Sequence, residues 1–223
     1  YTLYSILGEK LKTWFHFVSD TNLALGQRKL SDYRLVYAAQ LEYADSATAE
    51  RLTSFVEKGG TLVLLDPKAL THNIDGSSLA VARKRLIGGT LGPAIPKPEI
   101  RISTPAFGLQ PGTVLPLRAI RNQWKAGAIA AYRITPPQDA RVIATYSDGQ
   151  PAAFTRTVGK GSVVYFAAQP FGDSTLALKP GTWADLFRGL AQQVNEPDTL
   201  RVWDFMIPAK GGEIRVDYAA PIK

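Results

Sequence analysis

The sequence predicts an α/β domain organised on a parallel strand pair, with a β-hairpin region added to the same sheet. Three observations carry this prediction. A strand-like run, a helical stripe and a second strand-like run follow one another between Tyr33 and Asp66, and a βαβ unit of this kind has a right-handed crossover and parallel strands. Three more β-prone runs, broken by turn residues, occupy Arg141 to Ala168. An amphipathic helical segment then follows around Trp183 to Val194. At 223 residues and 45% hydrophobic, the chain can bury one full core.

The elements follow from local pattern. Tyr4, Leu7, Leu11, Trp14, Phe15 and Val18 recur at spacings of three and four, which predicts an opening amphipathic helix. Tyr33 to Ala39 is a short run rich in aromatic and aliphatic residues, the composition of a strand covered on both faces. In the next helix Ser46 is the expected N-cap, Leu52, Phe55 and Val56 form the inward stripe, and Gly59 with Gly60 supplies a left-handed stop. Thr61 to Asp66 is the second parallel strand.

From Thr90 to Pro137 the pattern loosens. Pro93, Pro96, Pro98, Pro105, Pro111, Pro116, Pro136 and Pro137 argue against long helices and regular central strands. Residues 90–138 are therefore expected to form an extended, loop-rich insertion, with Ala128 to Ile134 as a strand inside it. Regularity returns with Arg141 to Tyr146, Ala152 to Val158 and Ser162 to Ala168, joined by turns at Ser147-Asp148-Gly149 and Gly159-Lys160-Gly161. In the final helix Trp183, Leu186, Phe187, Leu190, Ala191 and Val194 share a face, Thr182 with Asp185 approximates a capping box, and Asn195 and Pro197 end the helix. Leu200 to Phe205 and Glu213 to Tyr218, around Gly211 and Gly212, predict two strands. The expected division is a domain over 1–198 and a strand-rich tail over 199–223 that opens a following domain. The first residue, Tyr1, is read as the start of a piece of a longer protein.

The net charge of +7 is unevenly distributed. Between Gly76 and Gln138 nine basic residues face one acid, Glu99, a local balance of +8, while the remainder carries 17 basic and 18 acidic residues. The segment is read as facing an acidic neighbouring domain or subunit of its own protein. Its basic residues are not interleaved with aromatics and no nucleic-acid-binding module is recognisable, which argues against nucleic acid as a partner. Apolar runs such as Leu62 to Leu65 and Val163 to Ala168 are far shorter than the roughly 20 residues of a spanning helix. Cysteine is absent, which excludes disulfides, thiolate metal sites and a Cys nucleophile.

Two stretches carry a family resemblance. Leu30 to Pro67, LSDYRLVYAAQLEYADSATAERLTSFVEKGGTLVLLDP, and Ala140 to Asp173, ARVIATYSDGQPAAFTRTVGKGSVVYFAAQPFGD, resemble the β-galactosidase trimerisation domain, the amidotransferase-like middle domain of family 42 glycoside hydrolases. The similarity lies in a strand, a helix and a "GGTLV" strand, then in hairpins with a "DG.PA" turn and a "GKG.V.Y" entry to the last strand. The resemblance implies a flavodoxin-like, class I glutamine amidotransferase-like three-layer sandwich with a central, mostly parallel sheet. The basic, proline-rich middle lies outside it.

A working class I amidotransferase attacks glutamine with a Cys on a strand-to-helix elbow, activated by a His that a Glu orients. Here the corresponding strand ends at Leu65, Asp66 and Pro67, and the place of the family's His-Pro-Glu holds Gln169, Pro170 and Phe171. An aspartyl nucleophile at Asp66 would still need a base and an oxyanion hole. His72 follows a parallel strand's carboxyl end, near Asp66, Lys68 and Asp75, where open α/β sheets keep ligand crevices; a polar loop explains the same placement. His16 falls in the opening helix stripe, where a non-catalytic role is the plainer reading. No HExxH spacing exists for a metal. In GKGS, Gly159 to Ser162, the Lys is followed by Gly and the opening glycine of a phosphate loop is missing. Trp14 and Trp183 belong to helix stripes, which leaves Trp124, in the polar RNQWKAG stretch, as the tryptophan placed to stack on a sugar ring.

The expectation is a noncatalytic structural, oligomerisation or interdomain-packing domain of a larger, carbohydrate-active protein. It requires no cofactor and no metal, and its partners are other domains or subunits of that protein. The competing reading is a small-molecule or carbohydrate-binding domain, or a divergent hydrolase, that uses Asp66, His72, Gln169 and Trp124.

Overall fold

The computed structural model describes residues 2–11, 13, 15–96, 98–117, 121–122, 125–126, 130–170, 181–194, 200–209 and 212–221. The chain opens with a short helix, α1 (Thr2–Tyr4), that continues as a π-helix over Ser5–Lys10, followed by α2 (Asp20–Ala24) and a 3-10 turn at Leu30–Asp32. Then come β1 (Leu35–Ala38), α3 (Ser46–Glu57), β2 (Thr61–Leu64) and α4 (Ala80–Leu86). The middle of the chain supplies β3 (Thr90–Ala94), β4 (Ile100–Ile102), β5 (Val114–Leu115), β6 (Arg121–Asn122), β7 (Lys125–Ala126) and β8 (Tyr132–Thr135). It ends with β9 (Arg141–Tyr146), β10 (Pro151–Val158), β11 (Gly161–Phe166), α5 (Thr182–Gln193), β12 (Leu200–Ala209) and β13 (Gly212–Pro221).

One seven-stranded sheet, ordered β1-β2-β11-β10-β9-β4-β5, organises the described residues. Among the described strands of this sheet, β1, β2 and β11 pair in parallel, and β10, β9, β4 and β5 continue it antiparallel. Alternation along the central strands builds a layer on each face. Leu62 and Leu64 of β2 with Val163 and Tyr165 of β11 pack under α3 and α4 against Leu52, Phe55, Val56 and Leu86. Val63, Leu65, Val164 and Phe166 face the other way, against Ile6, Leu7 and the α5 residues Trp183, Leu186 and Phe187. This is the expected three-layer α/β sandwich, with the hairpins supplying the antiparallel half.

Helix α3 begins at Asp45, whose Oδ1 accepts the Thr48 amide at 2.7 Å and whose Oδ2 accepts the Thr48 hydroxyl at 2.7 Å. The cap is thus Asp45, one residue before the expected Ser46, because its carboxylate reaches the exposed amide from extended backbone. Gly59 stops the helix at φ 119°, a conformation that favours glycine. The two turns beside it interlock: a Cβ on Gly161 would stand 2.1 Å from the Val56 carbonyl oxygen and 2.2 Å from that of Gly60. Lys160 donates its amide to Glu57 O at 2.9 Å and Ser162 donates to Gly60 O at 3.1 Å.

Several expectations need correction. The opening helix ends at Lys10 instead of reaching Val18, because Phe15 and Phe17 turn back to pack with Tyr4 at centroid distances of 5.8 and 6.1 Å. Residues 90–138 are not a loop appended to the sheet: β4 and β5 lie in it as strands six and seven. The prolines flank these strands, and the one inside β3, Pro93, falls where its pairing with β8 shifts register between Leu91 and Ala94. Tyr132–Thr135 forms the strand expected over Ala128 to Ile134, whose first residues lie outside the described ones. Thr182 and Asp185 do not form a capping box: the N-cap is Gly181, Thr182 donates its hydroxyl to Val114 O at 2.6 Å, and Asp185 pairs with Arg188. The helix stop at Asn195 and Pro197 and the Gly211 turn lie outside the described residues. β12 and β13 pair antiparallel in a two-stranded sheet of their own.

Part of the basic segment's charge is met within the chain. Arg85 pairs with Glu57 at 2.8 Å and Glu50 at 3.4 Å, Arg101 with Glu99 at 2.6 Å, and Arg133 with Asp148. Among the described residues no helix is long and apolar enough to cross a membrane.

Candidate functional site

The parallel strands deliver their side chains to one end of the sheet. Ala38, Leu64 and Tyr165 are level in the register of β1, β2 and β11, so Gln40 and Asp66 emerge together just past the carboxyl ends and Gln169 follows from the third strand. With Glu42 and Tyr43 these residues line a cleft of about 350 Å³, at the place where parallel sheets keep ligand crevices. Of the residues singled out in the sequence, Asp66 and Gln169 both line this cleft.

Asp66 is only 7% exposed, and both its oxygens accept main-chain amides: Oδ2 from Leu41 at 2.7 Å and Oδ1 from Lys68 at 2.9 Å. The carboxylate therefore ties the loop after β1 to the loop after β2. Leu70 N donates to Leu41 O at 2.7 Å, His72 N to Glu42 O at 3.0 Å, and Ala44 N to His72 O at 3.0 Å, which closes the two loops into a zipper. From beneath, the Tyr165 hydroxyl donates to Pro67 O at 2.6 Å, and Arg83 donates to the carbonyls of Ala69 and Pro67. Burial pushes the Tyr165 phenol up to about 12, so it stays a donor throughout the working pH range. β2 leads into this pinned loop over residues 65–79, and the next helix is α4. A sharp strand-to-helix elbow is not formed there.

His72 stands beside the cleft and does not line it. Its ring stacks on Tyr43 at 5.1 Å and 22°, and its Nδ1, buried without a hydrogen bond, is 3.9 Å from Glu42 Oε1. Glu42 Oε1 also lies 3.4 Å from the Lys68 ammonium, which Tyr132 and Glu42 hold above the usual lysine range. His16 is remote from this cluster, with its ring edge on Tyr33 at 5.8 Å. Trp124 and Phe171 lie outside the described residues. Among the described residues no group of three or more His, Cys, Asp or Glu could hold a metal ion.

Gln40, Glu42 and Tyr43 are not singled out by any sequence motif, although the end of the first predicted strand at Ala39 places them in a strand-end loop. In the sequence Arg83 is only part of a charge run. Nothing in its neighbours' identities signals that its guanidinium serves carbonyls of the loop after β2.

No protein-family model matches the sequence. A curated relative, the β-galactosidase BglY of Alicyclobacillus acidocaldarius, is 29% identical over 154 residues, 64% of this chain and 21% of that protein. The chain thus spans about a fifth of the curated relative it matches. Among solved structures, a cold-adapted β-galactosidase from Rahnella sp. R3 superposes with a TM-score of 0.58 at 22% identity, over 78% of this chain and 25% of that one. A catalytic mutant of Gan42B, a GH42 β-galactosidase from G. stearothermophilus, gives 0.56 at 19%, over 85% and 25%. The chain therefore has the fold of one segment of these larger β-galactosidases, about a quarter of their length.

Proposed function

We propose that this chain is a noncatalytic packing domain, equivalent to the trimerisation domain of family 42 β-galactosidases, within a larger protein that acts on carbohydrate. The observation that carries the reading is the state of Asp66. The position that corresponds to an amidotransferase nucleophile holds a carboxylate whose two oxygens are both committed to main-chain amides, and the chain has no cysteine to replace it. The match to about a quarter of much longer β-galactosidase chains supports the same reading. Residues 1–198 form the packing domain, and 199–223, with the β12–β13 ribbon, open the next domain. The basic residues of 76–138 that are not neutralised within the chain meet acidic groups of a neighbouring domain or subunit.

Sedimentation velocity on the full-length parent, with and without residues 1–198, tests this. The intact parent sediments as an oligomer and the deletion as a monomer with its glycosidase fold retained. An unchanged oligomeric state after deletion overturns the proposal, as does glutaminase activity of the chain.

A further inference from the structure

The crevice at the carboxyl ends of β1, β2 and β11 presents a particular set of unused groups. Its charges are already engaged: Asp66 by two amides, and Glu42 by Lys68 at 3.4 Å. What remains toward the cleft is uncharged. Among the described residues the side-chain amides of Gln40 and Gln169 have no hydrogen-bond partner, and Tyr43 is 59% exposed while its ring is backed by His72 at 5.1 Å. Each amide offers both a donor pair and an acceptor, which matches hydroxyl groups, themselves donors and acceptors. The open aromatic ring offers an apolar face with a polar tip. A charged ligand would find no free counter-charge here, and a wholly apolar one would leave both amides unpaired at a cost.

From this we propose that the crevice is a binding subsite for a neutral polyhydroxylated ligand, a saccharide unit seated with one ring face on Tyr43 and its hydroxyls on Gln40 and Gln169. The cleft, about 350 Å³, lies in the size range of small-molecule sites. Its wall is set in advance, because the zipper of residues 41–44 with 70–72 and the Asp66 tie fix the backbone that carries Gln40 and Tyr43. A preformed wall lowers the ordering cost of binding. The subsite is independent of the packing role: it concerns the strand-end cleft whether or not the chain mediates assembly.

The test is a titration of the ¹⁵N-labelled chain with lactose and with cellobiose, followed by amide chemical shifts, with sodium glucuronate as the anionic comparison. The expected result is saturable shifts confined to residues 40–44 and 169 with a dissociation constant in the range of about 1–10 mM. Tyr43→Ala weakens binding about tenfold, the scale of one lost aromatic contact, whereas Tyr43→Phe, which keeps the ring, stays within about twofold. Gln169→Ala weakens it about fivefold, as for one hydrogen bond. Tyr43 is exposed, so its variants keep the wild-type spectrum away from the cleft. No saturable shift with either disaccharide up to about 100 mM, wild-type affinity in Tyr43→Ala, or tighter binding of glucuronate than of lactose overturns the proposal. A failed titration leaves the sedimentation result for the packing domain untouched.

Discussion

The two halves of the seven-stranded sheet are held by different means. In the parallel half, Leu62, Val63 and Leu64 of β2 are fully buried, as are Val163 and Tyr165 of β11, and both faces are covered by helices. The outer antiparallel strands are short: Ile100 and Ile102 point into the core while Arg101 between them is exposed, and β5 is two residues long. Helix α5 secures this edge through side chains reaching main-chain carbonyls, with Trp183 Nε1 donating to Pro116 O at 2.7 Å and the Thr182 hydroxyl to Val114 O at 2.6 Å. Burial stabilises the first half without regard to direction. The second buries Ile100, Ile102 and Leu115 as well but adds directional bonds at its edge, so it is the half that a single polar deletion loosens.

Leu64→Ala in the parallel half is expected to have the largest effect, a loss of about 2–5 kcal/mol by chemical denaturation. Trp183→Phe keeps most of the ring volume and removes the indole donor, leaving the Pro116 carbonyl unpaired, and costs about 1–3 kcal/mol. Hydrogen exchange sharpens the contrast: Trp183→Phe raises exchange first around 114–116, whereas Leu64→Ala raises it across β1, β2 and β11. Equal, uniform effects of the two variants would erase the distinction between the halves.

Asp45→Ala should cost about 1 kcal/mol as a lost helix cap, and its signature is pH dependence. The Thr48 hydroxyl and amide hold the Asp45 carboxyl below the usual carboxylate range. A depressed folded-state value contributes stability that is complete above the unfolded value of about 4 and lost as pH falls through the folded one. Thermal melts of the wild type and Asp45→Ala should therefore separate above the unfolded carboxylate value of about 4 and converge as pH falls through the lower folded-state value. Smallest is Arg85→Ala: its exposed pairs with Glu57 and Glu50 are worth about 0.2–1 kcal/mol at low salt and less at high salt. A salt-independent loss would assign Arg85 to packing instead.

The parallel core and its crevice are legible in the sequence because their determinants are local. A strand run, an N-cap, a helical stripe and paired glycines follow one another from Tyr33 to Asp66, and strand ends locate Asp66 and Gln169. The opening segment misleads because a spacing of three and four describes a helical face equally well whether the chain continues or folds back; the packing of Phe15 and Phe17 on Tyr4 decides it. Helix α4 escapes a sequence reading since its short buried pair, Ala82 and Leu86, is embedded in the basic run Arg83-Lys84-Arg85. Ile100–Ile102 joins the sheet by a long-range pairing with β9, and Val114–Leu115 joins by pairing with Ile100 and Arg101; no local pattern of two or three residues announces either. The cleft's Tyr43 and Gln40 obey the same rule: their place is visible in the sequence, their mutual arrangement is not.

The interlocked turns after α3 and before β11 bear on how this sequence can vary. Gly161 sits against the carbonyls of Val56 and Gly60, and a Cβ on Gly159 would stand 2.7 Å from Glu57 Cα, so main chain touches main chain at both points. Neither neighbour can yield as a flexible side chain could. The Gly159-Lys160-Gly161 motif is thus a mechanical joint whose two leaves, far apart in the chain, are constrained to covary. A redesign that rebuilds the end of α3 has to carry the β10–β11 turn with it, and a side chain introduced at Gly159 or Gly161 alone meets main chain that has to move.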